Sequence, residues 1–311
     1  HTHIVFAGDR ATEFEARMEG IPYEAGGIQS TMMATRAASD ELLSLNAQHL
    51  AYEALCSGTT TLEVKSGYGL SVRDEERSMR VARSITSETT FLGAHLCPTD
   101  VKQDDYVDLV VGEMLTACLP YAKWIDVFCD RGAFSAEQSR EILNAGAKAG
   151  LGTRIHASQL GPSGAIKMGV ELGVASCDHC THITDLDIEA LASASDTTVA
   201  TLLPAAELCT RGPFPDGRHM IEQGVTVALA TDCNPGSSYT TSMPFVMSLG
   251  VILMGMTPDQ ALWSSTQGGA QALRRTDVGN LCAGSRADLV VLDAPSHIHL
   301  AYRPGVNQTR A

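Results

Sequence analysis

The hydrophobic pattern of the chain alternates between two kinds of segment. Short apolar runs rich in β-branched residues predict buried strands, and longer stretches with apolar residues at helical spacing predict helices. The predicted strands cover residues 1–3, 59–64, 89–95, 124–128, 152–157, 175–179, 198–203 and 225–231. Predicted helices separate each strand from the next, at residues 31–57, 74–87, 106–119, 135–149, 165–172, 186–193 and 218–223.

This alternation predicts an α/β fold, a (β/α)8 barrel of the TIM type. A doubly wound open sheet is the rival architecture. The barrel is favoured because polar, ligand-type residues stand at the carboxyl ends of many predicted strands. A barrel brings those ends to one mouth, whereas an open sheet spreads them along an edge and gathers them mainly at a switch point.

The pattern changes after the predicted helices between residues 243 and 273. A turn-rich segment at 279–285 precedes an apolar strand at 287–293. We therefore divide the chain into a barrel at residues 1–275 and a small β appendage at 276–311, formed by the C-terminal tail. Because a short strand is not stable alone, we expect its partners in a natural N-terminal segment that is missing upstream of residue 1.

Composition and charge narrow the choice of partners. The chain has 311 residues, of which 44% are hydrophobic and 19% charged, as in ordinary globular proteins. Its net charge of −14 disfavours nucleic acid and anionic membranes, which need a positive field, but is compatible with a small anionic substrate.

No apolar stretch is long enough to cross a bilayer, and no signal peptide is evident. Nine scattered cysteines indicate reduced thiols in a cytoplasmic protein. A homodimer is kept open.

Metal-ligand side chains stand at three predicted strand ends. His1 and His3 are two residues apart, so an extended backbone points both imidazoles to the same side. His156 lies in the fifth predicted strand, and Asp232 follows the eighth. Each has an ordinary explanation by itself: a tag remnant, a core histidine or a loop cap. Together they form an open site for one divalent ion, zinc or iron, beside a carboxylate that can accept a proton from water.

Longer motifs are similar to those of a known family. The chain resembles the imidazolonepropionases, histidine-degrading members of the amidohydrolase superfamily, over residues 1–10, 63–70, 91–95, 126–129 and 230–238. The tail at 284–291 resembles the closing β segment of the superfamily. The His-x-His pair is shared by the whole superfamily, whereas Lys-Ser-Gly-Tyr-Gly-Leu at 65–70 and Asn-Pro-Gly-Ser-Ser at 234–238 are typical of this family.

The resemblance implies hydrolysis of 4-imidazolone-5-propanoate to N-formimino-L-glutamate at a site with one zinc or iron ion. The implied metal ligands are His1, His3, His156 and Asp232. The implied catalytic residues are Asp232, which takes the proton of the attacking water, and His179, which orients the reacting carbonyl or the water. Implied substrate contacts are Arg10, Tyr68, His95, Gln159, Asn234, Gly236 and Ser237. A guanidinium such as that of Arg10 suits the substrate carboxylate because it binds carboxylates bidentately.

A few positions need separate interpretation. Lys65 follows the second strand and not the fourth, where binuclear relatives carry a bridging lysine, so we expect one metal and a structural or electrostatic contact for Lys65. Ser158 stands where aspartate is expected, which should weaken the support of His156. Gln159 replaces the glutamate of some relatives and is not expected to be the essential base. Cys177 and Cys180 have no second Cys-x-x-Cys to complete a zinc knuckle.

Two other functions stay open. Another amidohydrolase, acting on a different cyclic amide or deaminating a ring amidine, would share the metal site. A nucleobase deaminase, however, would need no Arg10 contact to a substrate carboxylate. A non-catalytic barrel that binds a metal or a ligand would share the fold but would show no turnover.

Overall fold

The computed structural model describes residues 1–21 and 27–310. Seven strands form one curled parallel sheet in which each strand pairs with the next along the chain. The strands are β1 (Val64–Lys65), β2 (Thr89–Ala94), β3 (Trp124–Cys129), β4 (Gly152–Ala157), β5 (Ser176–His179), β6 (Val199–Leu202) and β7 (Val227–Leu229). This order, with helices between the strands, is that of a TIM-type barrel and confirms the predicted α/β fold class.

Helices surround the sheet and bury their apolar faces against it. They are α1 (Ala11–Met18), α2 (Ile28–Ala37), α3 (Asp40–Cys56), α4 (Val72–Ile85), α5 (Gln103–Leu109), α6 (Leu115–Cys118), α7 (Ala136–Lys148), α8 (Ala165–Leu172), α9 (Asp185–Ser193), α10 (Pro204–Thr210), α11 (Gly217–Glu222), α12 (Met243–Leu253), α13 (Pro258–Trp263), α14 (Gly269–Ala272) and α15 (His299–Tyr302). Two π-helical segments, Val110–Met114 and Ser264–Gly268, join α5 to α6 and α13 to α14. Among the described helices, none combines the length and the hydropathy needed to span a membrane.

The predicted first strand, at residues 1–3, is reduced to a bridge. Thr2 pairs in parallel with Cys233 at a single position, and the backbone N–H of His3 donates to the Cys233 carbonyl at 2.9 Å. On the other side, the N–H of Lys65 donates to the Thr2 carbonyl at 2.9 Å. The segment therefore links β1 to the chain after β7 and fills the eighth position of the barrel only at its mouth. Below the mouth the eighth position is open, and residues before β1 and in and after β7 line a cavity of about 480 Å³ there.

Several helices differ from their predicted bounds for local reasons. The predicted helix at 31–57 is two helices, because the Ser39 hydroxyl accepts from the N–H of Leu42 and starts α3. The sequence analysis missed α10, which begins at Pro204; proline is well suited to the first turn of a helix because its missing N–H needs no partner there. The predicted helix at 135–149 is α7, and Ser135 and Gln138 form a capping box at its start.

The C-terminal tail contains a small antiparallel pair. β8 (Val291–Leu292) pairs with β9 (Thr309–Arg310), so the predicted strand at 287–293 is confirmed only at residues 291 and 292. The hydroxyl of Ser248 in α12 donates to the Leu300 carbonyl at 3.1 Å and ties the tail to the barrel. The division at residue 275 and the pairing of the tail with an upstream segment stay predictions.

Candidate active site

Four side chains from three parts of the barrel place their donor atoms around one point. The Nε2 atom of His3 lies 3.1 Å from Nε2 of His1 and 3.4 Å from Nε2 of His156. Oδ1 of Asp232 lies 3.3 Å from Nε2 of His1 and 3.2 Å from Nε2 of His3. Donors that bind a zinc-type ion tetrahedrally at about 2.0–2.1 Å are separated by about 3.3 Å. These four donor pairs therefore have spacings that fit a divalent metal ion, and their residues are the four predicted ligands.

The backbone explains how these side chains meet. The N–H of Asp232 donates to the His1 carbonyl at 3.0 Å, which joins the first and last strand ends of the barrel. Thr2 points away from His1 and His3, and its hydroxyl donates to the Glu63 carbonyl at 2.7 Å. Asp232 has a positive φ of 51°, a left-handed conformation that costs free energy for a residue with a side chain. Such strain is typical of functional positions, and here it lies at the proposed ligand, three residues after the end of β7.

Carboxylates support two of the histidines from behind. Oδ2 of Asp178, on β5, lies 2.6 Å from Nδ1 of His1, and Oδ2 of Asp126, on β3, lies 3.1 Å from Nδ1 of His156. A carboxylate on the far nitrogen fixes the tautomer and the orientation of a ligating imidazole. The support of His156 thus comes from Asp126. The Ser158 hydroxyl lies 3.3 Å from that of Ser163, and the expectation that serine at this position weakens the support of His156 stays a prediction.

Lys65 lies beneath these carboxylates and is buried. Its Nζ donates to Oδ2 of Asp126 at 2.7 Å and to Oε1 of Glu63 at 2.8 Å, and it lies 3.6 Å from Oδ2 of Asp178. Burial lowers the pKa of Lys65, but the three carboxylates outweigh it and hold that pKa above its usual value. The electrostatic contact expected for Lys65 is therefore present.

The same charges keep the carboxylates ionised. Burial raises the pKa of Glu63, but Lys65 and Arg154 lower it to about 2. Burial also raises the pKa of Asp178 and of Asp126, and nearby histidines together with Lys65 hold both below the usual range. Sequence reasoning missed all three acids as site residues. A sequence signal for these acids was available, namely charged residues two positions apart in apolar segments. Glu63 and Lys65 are such a pair, and in an extended backbone their side chains lie on one face.

Two of the predicted substrate residues lie beside the metal donors. The ring of His95 stacks 5.3 Å from that of His3, and the Tyr68 ring lies 5.3 Å from that of His95. Nδ1 of His95 lies 2.9 Å from the Gly67 carbonyl, so it carries the proton and donates, which leaves Nε2 as an acceptor. Burial lowers the pKa of His95 well below its usual value, so this imidazole is neutral.

Arg10 is buried and lies against the loop that follows β7. Its Nε and Nη2 atoms donate to Oε2 of Glu13 at 2.9 and 2.5 Å. A Cβ atom at Gly236 would lie 2.1 Å from Nη1 of Arg10, so only glycine leaves room for the guanidinium. Arg17, which the sequence analysis missed, donates from Nη1 to the Gly236 carbonyl at 2.7 Å. Two buried guanidinium groups therefore meet this loop.

The loop itself is held by Asn234. The Asn234 amide oxygen accepts from the N–H groups of Gly236 and Ser237, both at 2.8 Å, and its amide nitrogen donates to the Asp232 carbonyl at 2.6 Å. The hydroxyl of Ser237 lies 3.3 Å from Oδ2 of Asp232. Asn234 thus shapes the loop that carries Gly236, and Ser237 contacts Oδ2 of Asp232, whereas Oδ1 is the oxygen close to His1 and His3.

Gln159 lies two residues after the end of β4, and His179 is the last residue of β5. The N–H of Gln159 donates to Oδ2 of Asp130 at 2.7 Å, and its side chain is half-buried. The His179 ring lies 5.3 Å from that of His156 and 5.8 Å from that of His1. Burial lowers the pKa of His179 well below its usual value, so the imidazole beside the metal donors is neutral.

Glu207, on α10, is a buried acid that the sequence analysis also missed. Its Oε1 accepts from the Thr181 hydroxyl at 2.6 Å. Burial raises the pKa of Glu207 to about 8, although the Thr181 hydrogen bond favours the charged form. The folded protein therefore keeps a proton on this carboxyl at neutral pH.

Replacing Glu207 with glutamine is expected to change the pH dependence of stability. The folded pKa lies above the unfolded one, so the wild type loses stability as pH rises from the unfolded value of about 4.5 to about 8. That loss approaches roughly 1.4 kcal/mol per pH unit. Urea unfolding should show Glu207→Gln nearly as stable as the wild type at pH 5 and more stable by a few kcal/mol at pH 8. A difference that stays constant with pH would contradict this assignment.

Comparison with known proteins identifies the family and the fold to which the chain is similar. The model of the amidohydrolase family matches residues 1–310. The chain is 63% identical over 308 residues to the imidazolonepropionase of Salinispora tropica, covering 98% of this chain and 79% of the relative. It is 60% identical to that of Mycolicibacterium smegmatis, covering 98% and 77%. A crystal structure of a triazine hydrolase variant superposes with a TM-score of 0.74 at 16% identity, covering 99% of this chain and 78% of that chain.

Proposed function

The chain belongs to the imidazolonepropionases of the amidohydrolase family, and we propose that it opens the ring of 4-imidazolone-5-propanoate by hydrolysis, giving N-formimino-L-glutamate in histidine degradation. One observation carries this proposal. A four-donor metal site and a buried arginine flank the same loop, since Ser237 contacts Asp232 and Arg10 packs on Gly236. The site thus offers chemistry for an amide bond beside a group for a carboxylate.

We assign the metal site to His1, His3, His156 and Asp232 and expect one zinc or iron ion. When bound, such an ion polarises a carbonyl and lowers the pKa of water to about 7. Imidazole nitrogens and one carboxylate suit either metal. Asp178 and Asp126 orient His1 and His156 so that Nε2 of each faces the site.

Protein side chains carry out proton transfer, stabilisation of the carbonyl oxygen and substrate binding. Asp232 has Oδ2 available to take the proton of the attacking water, and it returns this proton to the leaving ring nitrogen. Neutral His179 donates to the carbonyl oxygen as negative charge develops there. Arg10 binds the propanoate carboxylate, and Glu13 holds the guanidinium in place. Tyr68, His95 and Gln159 enclose the ring.

The substrate is a small anion, and the acidic chain is suited neither to nucleic acid nor to an anionic membrane. We propose a cytoplasmic setting, which the nine unpaired cysteines support.

The test is hydrolysis by the purified, metal-loaded protein. Absorbance of the imidazolone ring should decay with turnover, and N-formimino-L-glutamate should accumulate in equal amount. A ring-amidine deaminase would instead release ammonia from a substrate without a carboxylate, and a binding barrel would bind the imidazolone without turnover. Absence of turnover in protein that holds one ion would defeat the proposal.

Replacing Arg10 with alanine is expected to reduce kcat/KM by at least about 30-fold, with the metal retained. Arg10 is not the exposed loop arginine typical of this residue type, since it is buried. Removing one side of a buried charge-assisted pair costs roughly 2–5 kcal/mol, whereas an exposed pair contributes less than about 1 kcal/mol. Arg10→Lys should recover only part of the loss, because an ammonium cannot bind bidentately.

The control for this experiment is Arg83→Ala, which removes an exposed arginine that donates to the Ser87 carbonyl. It should stay within about twofold of the wild type, as surface substitutions usually do. Full activity of Arg10→Ala would leave the propanoate without its proposed partner and would weaken the substrate assignment.

A further inference from the structure

The metal donors are next to a buried cluster of charged side chains, in which the negative charges exceed the positive ones. Its carboxylates are those of Glu63, Asp126, Asp178 and Asp232, and its side-chain cations are Lys65 and Arg154. The histidines in contact with it are neutral when they bind a metal. Counted over these side chains alone, two negative charges remain, and one divalent ion neutralises them. A buried, uncompensated charge is costly, so the cluster has a reason to hold one such ion and no more.

Lys65 occupies a position within this cluster that resembles a second cation site. Glu63 just before β1, Asp126 on β3 and Asp178 on β5 all direct a carboxylate oxygen at its ammonium. The donor atoms of Asp126, His156 and Asp178 lie within 4.8 Å of one another. Oδ1 of Asp178 is buried and has no hydrogen-bond partner among the described residues.

We propose that the Lys65 ammonium is a built-in cation that takes the place of a second metal ion among Glu63, Asp126 and Asp178, and so keeps the site mononuclear. The inference rests on the proposed metal site. Lys65 is a positioning residue, because it acts through the two carboxylates that orient His1 and His156. Its side chain links β1 to β3 and β5 by charge, as a metal ion would do.

The chemistry of the three carboxylates defines which ion would replace the ammonium. Oxygen donors suit hard cations such as Mg²⁺ and Mn²⁺, whereas the imidazole-rich site suits zinc or iron. Removing the lysine side chain both frees space and leaves a negative charge without its partner. The two sites should therefore be distinguishable by their metal preference in one protein.

The experiment compares zinc-loaded wild type with zinc-loaded Lys65→Ala during titration with Mn²⁺. Elemental analysis should give about one ion per chain in the wild type. Lys65→Ala should hold two, one zinc and one manganese, with an electron paramagnetic resonance signal from bound Mn²⁺. The melting temperature of Lys65→Ala should rise with Mn²⁺, since binding to the folded state stabilises it, while that of the wild type should not change.

Lys123→Ala is the matched control. Lys123 also pairs with a buried glutamate, Glu88, but among the described residues no second carboxylate pairs with it, so this variant should bind no manganese. Lys65→Ala that does not fold with zinc alone should fold when Mn²⁺ is added. A folded Lys65→Ala with a single ion at saturating Mn²⁺, or an unfolded one that Mn²⁺ does not restore, overturns the inference. A wild type without a stoichiometric ion would instead overturn the metal site.

Discussion

Asp232→Asn is expected to lower kcat/KM by at least about 1,000-fold in a protein that still folds. The physical reason is that the two carboxylate oxygens face different partners. Oδ1 lies 3.2–3.3 Å from the Nε2 atoms of His3 and His1, and Oδ2 lies 3.3 Å from the Ser237 hydroxyl. An amide keeps the shape but loses the charge that binds a metal and the basicity that accepts a proton. General base catalysis alone typically contributes about 100- to 10,000-fold.

The measurement is steady-state hydrolysis of the imidazolone, with metal content and circular dichroism recorded on the same sample. The control is Asp259→Asn, which alters an exposed carboxylate that pairs with His297 and should leave kcat/KM within about twofold. If Asp232→Asn retained activity within tenfold of the wild type, Asp232 would be neither the proton acceptor nor a required ligand.

The order of the strands and helices and the identity of the metal donors could both be predicted from the sequence, and one reason explains both. Alternating strands and helices fix the spacing of strand ends, and a barrel brings those ends together. His156 was therefore placed correctly beside the His1 to His3 pair without any long-range information. The sequence could not predict that the first strand is reduced to a single bridge, because residues 1–3 fit an extended pattern whether they form one bridge or a full strand.

Alternating charges mark the acids behind the donors, but which side chains these acids contact could not be predicted, since that depends on backbone geometry that periodicity does not encode. Asp178 and His179 are neighbours, and in a regular strand they would face opposite sides. His179 has a φ of 77°, which breaks the alternation and lets both side chains approach His1. Similarly, Lys65 and Asp126 lie 61 positions apart, and only the closed barrel brings them to 2.7 Å.

His179→Asn is expected to lower kcat by about 100- to 1,000-fold with little change in KM. The His179 imidazole is buried and neutral, and its Nδ1 has no hydrogen-bond partner in the part of the chain that the structure describes. A donor aimed at an oxygen that becomes negative acts mainly in the transition state, and losing one such donor typically costs about 100- to 1,000-fold in kcat. The loss should therefore appear in kcat, as for interactions made only in the transition state.

Metal content decides what His179 does. Its ring nitrogen can also approach the donors of His1 and His156 closely enough to share an ion. A donor role requires His179→Asn to keep about one ion per chain with its kcat reduced, because the four assigned ligands are intact. Loss of the ion would make His179 a ligand and would contradict the assignment. His219→Asn, which changes an exposed histidine on α11, should alter neither quantity, so any effect common to both variants would reflect the loss of an imidazole in general and not the chemistry of the site.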